Sequence, residues 1–179
     1  MKKLVIGWAL ALVVAVGVSS APTVNAVVPY CNINWGSLPK TAVVTTSSNL
    51  TNIRTGRHEC YDRMVFDLNG ATGGYTVRYV NNVYGEGSGQ LIPLSGGAKL
   101  QITLQASSYN IDTGVPTYYA VVGAALPNVN LSGYSTFRDA KFGGSFEGYT
   151  TVGLGVRARL PFRVFTTGNR VVVDVAHYW

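Results

Sequence analysis

The sequence predicts an all-β protein, a β-sandwich of about ten short, mostly antiparallel strands. Three observations carry that expectation. From Thr41 onward, branched and aromatic residues alternate with polar ones in short runs, the period of a half-buried strand. Turn-forming pairs such as Asn69-Gly70, Gly73-Gly74, Gly96-Gly97, Pro127-Asn128, Gly143-Gly144 and Gly168-Asn169 separate those runs. No stretch of ordinary helix length shows a helical period, and only 12% of the 179 residues are charged, which argues against coiled coils, helical repeats and disorder.

The elements follow in order. Met1-Lys2-Lys3, an apolar run from Leu4 to Val18, small residues at Ser19, Ser20 and Ala21, and a Val24-Asn25-Ala26 end read as a secretory signal peptide over 1–26, cleaved after Ala26. A retained anchor is the alternative, but an apolar run of fifteen residues falls short of the roughly twenty that span a bilayer, so no membrane span is expected after cleavage. Residues 27–49 hold Pro29, Pro39, Gly36 and several asparagines and read as an extended arm, with Trp35 docked on the core. Residues 50–179 are the folded domain. Candidate strands are 42–46, 50–55, 61–68, 75–83, 99–106, 118–125, 134–142, 149–157, 162–166 and 170–177.

Export sets the redox context. Cys31 and Cys60, the only two cysteines, both lie beyond the leader, where thiols oxidise and stay oxidised, so they are read as one disulfide. A reactive thiol nucleophile is the alternative. Removing residues 1–26 takes away Lys2 and Lys3 and no acid, and the formal charge falls from +6 to +4.

The sharpest internal feature is a repeated strand. Asp62-Arg63-Met64-Val65-Phe66-Asp67-Leu68 is echoed by Asn169-Arg170-Val171-Val172-Val173-Asp174-Val175. Alternation puts Arg63, Val65 and Asp67 on one face of the first copy, and Arg170, Val172 and Asp174 on one face of the second. If the copies pair antiparallel in register, Arg63 faces Asp174 and Arg170 faces Asp67. Such pairs serve either as structural ion pairs on a solvated sheet or as a polar face that contacts a ligand. Both readings stand at this point.

The residues offer little to catalysis. His58 and His177 have no second ligand at metal spacing, so no metal site and no cofactor are expected. Ser88 and Ser145 have glycine neighbours at the wrong offsets for a nucleophile elbow. Glu59, Glu86 and Glu147 are conceivable proton donors for glycan hydrolysis, but Glu86 and Glu147 sit in glycine-containing turns. The arginines, among them Arg54, Arg57, Arg63, Arg78, Arg157, Arg159, Arg163 and Arg170, are dispersed without a basic run, which excludes a nucleic-acid footprint. Guanidinium forks still suit the carboxylates and phosphates of envelope polymers. Tyr118, Tyr119, Tyr134, Tyr149, Tyr178 and Trp179 could stack on sugars, with core or rim packing as the plain alternative.

Several stretches resemble a known family. Ile53-Arg54-Thr55-Gly56-Arg57-His58, then Tyr61 to Asp67, Gly74 to Val80, Gly87-Ser88-Gly89 and Gly97 to Ile102 resemble the opening and middle of the AMIN-like domain of secreted actinobacterial proteins. Phe146 to Tyr149, Val152-Gly153-Leu154, Pro161 to Phe165 and Asn169 to Val175 are similar to its closing strands, in the same order. The resemblance covers roughly residues 50–178. It implies a β-sandwich related to the AMIN domains of cell-envelope proteins, some of which bind peptidoglycan and localise their host, and it implies no catalysis. The expectation is therefore a non-enzymatic exported module, secreted or held in the cell wall or periplasmic space. Its partner would be peptidoglycan, another anionic wall polymer or an envelope protein. A module without glycan affinity and a small envelope hydrolase or inhibitor are the alternatives. The candidate contact residues are Arg63, Asp67, Arg170 and Asp174, with Arg57, His58 and Arg163.

Overall fold

The computed structural model describes residues 30–46 and 48–179; the expected leader over 1–26 and the start of the arm lie outside the described residues. A single 3-10 turn at Tyr30–Asn32 precedes eleven strands. These are β1 (Lys40–Ala42), β2 (Leu50–Arg57), β3 (Tyr61–Leu68), β4 (Tyr75–Val80), β5 (Val83–Tyr84), β6 (Leu91–Ile92), β7 (Ala98–Leu104), β8 (Phe137–Phe146), β9 (Tyr149–Val156), β10 (Phe162–Thr167) and β11 (Arg170–Ala176). All pair antiparallel. One sheet has the order β1-β4-β7-β9-β8, the other β10-β11-β3-β2, and β5 and β6 form a small hairpin of their own.

The period-two pattern makes the two sheets one-sided. Met64, Phe66 and Leu68 of β3 and Val171, Val173 and Val175 of β11 are buried against Leu100, Ile102 and Leu104 of β7 and Val152, Leu154 and Val156 of β9. Each such side chain contributes roughly 1.5–3 kcal/mol by leaving water. Tight turns hold the register. Glu147 and Gly148 both take positive φ, 48° and 86°, and close β8 onto β9 as a two-residue type I′ loop. The disulfide is formed: Cys31 and Cys60 lie 6.1 Å apart at Cα and tie the arm to the loop between β2 and β3.

Four expectations need correction. Residues 118–125 are not a strand; between Pro116 and Pro127 the chain turns at Gly123 (φ 80°) and meets β8 only at its end, around an isolated bridge of Ala125 to Lys141 flanked by backbone bonds of Gly123 and Ala124 to Phe142 and of Leu126 to Ala140. Alternation over 118–122 had no ladder to join, and the short contact that follows is too brief to make a strand. Strand 134–142 starts later, at Phe137, and continues through Gly143-Gly144, where a bulge absorbs the glycines instead of a turn. Of the expected strand over 42–46 only Ala42 lies in a strand, β1, which pairs with β4; beyond it Val44 keeps one backbone bond, accepting the Gly74 N–H at 2.8 Å. The expected strand over 75–83 breaks after Val80, and Val83 instead opens the β5–β6 hairpin.

That hairpin and the strap that follows it lie on the outer face of the five-stranded sheet. Glycines on β9 allow the approach: a Cβ on Gly155 would sit 1.9 Å from the Ser95 carbonyl oxygen, and one on Gly153 would sit 2.6 Å from Leu94 Cδ1. Polar pins fix the strap. The Ser95 N–H donates to Asp139 Oδ2 at 3.0 Å, and Thr151 Oγ1 donates to Glu86 Oε2 at 2.6 Å.

Candidate arginine-lined site

The outer face of the four-stranded sheet is built differently. Its register pairs Arg63 with Asp174 and Arg170 with Asp67, as the repeated strand predicts. The flanking strands then add a second arginine to each acid. β10 places Arg163 opposite Asp174, and β2 places Arg54 diagonally from Asp67.

Two Arg–Asp–Arg clusters result. Asp174 accepts from Arg63 Nε at 2.7 Å and Nη2 at 2.9 Å, and from Arg163 Nε at 2.8 Å. Its side chain is fully buried beneath them. Desolvating that carboxylate is costly, and two guanidiniums supply the compensating charge and hydrogen bonds. Asp67 accepts from Arg54 Nε at 2.9 Å and Nη2 at 3.1 Å, from Arg170 Nε at 3.1 Å, and from Asn52 Nδ2 at 3.3 Å. Four guanidiniums thus serve two carboxylates, leaving +2 on this face.

Asp67 carries a pH signature. The hydrogen bond from Arg54 holds its carboxyl below the ordinary aspartate range, helped by the Arg54 charge, Asn52 and Arg170 and opposed by partial burial. A carboxyl whose pKa is lower folded than unfolded contributes stability that is complete above the unfolded value of about 3.9 and is lost as pH falls through the folded one. The acid limb of the stability curve below about pH 4 is therefore expected to flatten in Asp67→Asn. Urea midpoints taken across that range will read it, and an unchanged acid limb would overturn the assignment.

Aromatic side chains flank the Asp174 cluster. Trp35 meets Tyr61 edge-on at 5.5 Å, and Arg163 lies 4.4 Å over its ring. Trp35 thus docks on the outer face of this sheet rather than in the core between the sheets. Arg63 lies 5.3 Å from the Tyr61 ring and 5.5 Å from that of Phe165. His58 stacks on Tyr61 at 4.5 Å. Between the clusters runs a cleft of about 310 Å³, walled by Arg54, Arg63, Arg170 and His58 and floored by Val65 and Val172.

A second polar cluster is buried. Asp62 Oδ2 accepts the backbone N–H groups of Thr136 at 2.6 Å and Phe137 at 3.1 Å, while Oδ1 meets His177 Nε2 at 3.1 Å. Neither acid nor imidazole is open to solvent. This pair was missed in the sequence, though a signal existed: Asp62 is in phase with Met64 and Phe66, and His177 with Val175, so both fall on the apolar face.

Of the seven candidate residues, the structure brings Arg63, Asp67, Arg170, Asp174, Arg163 and His58 to one face. Arg57 lies apart, its Nη1 reaching the Gly133 carbonyl at 3.4 Å on the opposite side of β2. Arg54 joins the site although sequence gave no reason to prefer it. No group of three or more metal-ligating side chains occurs among the described residues, and no helix among them is long and apolar enough to cross a membrane.

The family model for the AMIN-like domain matches residues 48–177, taking in every strand but β1 and every residue of both arginine clusters. The chain belongs to the AMIN-like domain family. No curated protein and no solved structure matches it. Membership marks this AMIN-like domain as a cell-envelope module, and the Cys31–Cys60 disulfide agrees with an exported protein.

Proposed function

We propose that this AMIN-like domain is a non-catalytic module that holds an anionic cell-wall polymer, peptidoglycan first among them, on the outer face of its four-stranded sheet. One observation carries the reading: two aspartates orient four arginines, and the excess of two positive charges borders an open cleft with an apolar floor. Arg54 and Arg170 engage Asp67 while remaining half exposed, so they keep N–H groups for a ligand. The non-catalytic part is supported by the placement of the one histidine–carboxylate pair among the described residues. The Asp62–His177 pair is sealed in the core, its carboxylate spent on backbone N–H groups.

The full chain is expected to sediment with isolated wall sacculi at low salt and to be released as salt rises, since exposed charges are screened. Arg170→Glu should reduce the bound fraction at least tenfold while circular dichroism stays native, because Arg170 is half exposed and Asp67 keeps Arg54. Complete recovery of the unaltered protein in the supernatant at low salt would overturn the proposal. A second reading, docking of an envelope protein by strand addition, draws on β2, the outermost strand of its sheet. Capture by sacculi stripped of protein would exclude it as the main role.

A further inference from the structure

The two arginine clusters are separate poles rather than one basic patch. Arg63 and Asp67 stand four residues apart on β3, which sets the clusters about 13 Å apart along the strands. The row between them holds Val65 of β3, Val172 of β11 and Phe165 of β10, register partners that carry no charge. Only Arg54 enters that row, and its guanidinium turns to the Asp67 pole with a two-pronged bond. Each pole has a net charge of +1, and the cleft is lined by Arg63 from one pole and by Arg54 and Arg170 from the other.

The aspartates also fix which N–H groups remain. Arg63 spends Nε and Nη2 on Asp174, and Arg163 spends Nε there; Arg54 spends Nε and Nη2 on Asp67, and Arg170 spends Nε. Among the described residues no bond engages Nη1 of Arg54 or Arg63, or either terminal nitrogen of Arg163 or Arg170. Both poles therefore present oriented donors that a carboxylate or phosphate can accept, with little side-chain freedom left to lose on binding.

We infer that the cleft is a two-point site for a ligand carrying two anionic groups about 10–13 Å apart, joined by an uncharged segment that lies on Val65 and Val172. This rests on the wall-polymer reading of the same face and adds a spacing to it. A ligand of that class is bridged between the poles, and one with adjacent charges engages a single pole. Carboxylates and phosphates share the required chemistry, and both occur as repeating groups on polymers.

The experiment uses the full chain and a series of linear α,ω-dicarboxylates from succinate to dodecanedioate. Matched monocarboxylates and α,ω-bisphosphates are titrated alongside, with binding read by calorimetry. Affinity should pass through a maximum where the end groups span the poles, at least tenfold tighter than succinate and than the monocarboxylate of equal length. The Arg170→Gln variant should lose the maximum while keeping weak, length-independent binding at the Arg63 pole. Whichever end group binds more tightly at the optimum identifies the natural anion. Affinity that only climbs with carbon number, equally for mono- and dicarboxylates, would overturn the inference, since the apolar floor alone would explain it. Sacculus sedimentation in parallel separates the two claims. Pelleting without a length optimum overturns the two-point site and leaves the wall reading standing; an optimum without pelleting does the reverse.

Discussion

Replacing Asp62 by alanine will lower the unfolding free energy by about 3–5 kcal/mol, a large part of what a domain of this size holds in reserve. The carboxylate is fully buried and satisfies three donors at once: the Thr136 and Phe137 N–H groups at the start of β8 and His177 just past β11. Alanine leaves all three without an acceptor in a place water does not reach, and each orphan costs about 1–3 kcal/mol. The site also joins the two sheets, because β3 and β11 belong to one and β8 to the other. Asp62→Asn, which keeps the shape and one acceptor, should lose roughly half as much. Urea unfolding of both variants will decide. A loss below about 1 kcal/mol for the alanine variant would show that the cluster is dispensable.

The second large effect concerns the arm. Cys31→Ser together with Cys60→Ser should cost about 3–4 kcal/mol, because the bond closes a loop with a sequence separation of 29 that the unfolded chain otherwise explores freely. For this chain length, that corresponds to a fall of roughly 10 °C in the thermal midpoint. The loss should reach the site as well, since the tethered segment places Trp35 against Tyr61 and Arg163. The serine variant should therefore show altered tryptophan fluorescence at temperatures where it is still folded, and weaker retention on sacculi. An unchanged midpoint would mean that the arm is held by its packing alone.

The parts of this molecule written in alternating residues were legible before any coordinates. Period two put Met64, Phe66 and Leu68 inside and Arg63 and Asp67 outside, and the echo at Arg170 to Asp174 pointed to the partner strand and its register. Contacts made diagonally or from a third strand were not legible. Arg54 reaches Asp67 across a bulged ladder, and Arg163 enters only because β10 pairs beside β11. Alternation also misleads when no neighbour is present, as over residues 118–125. There Tyr118 is buried and Tyr119 exposed in strand-like fashion, yet the backbone at that point is in no strand and meets β8 only from Gly123 onward. The Asp62–His177 pair escaped for the opposite reason: its pattern was visible, but a polar residue in an apolar phase reads as an exception until its partners are seen.

The glycine-cushioned strap has a consequence for valence. With Ser95 and Leu94 pressed onto Gly155 and Gly153, the central part of the five-stranded sheet is closed to any broad, flat ligand, and the arginine face of the other sheet is left as the open broad side. A slab with one adhesive side can coat a polymer layer but cannot clasp two layers together. On the proposed wall-polymer reading, each copy of this domain, acting alone, would be a label or an anchor and not a crosslink.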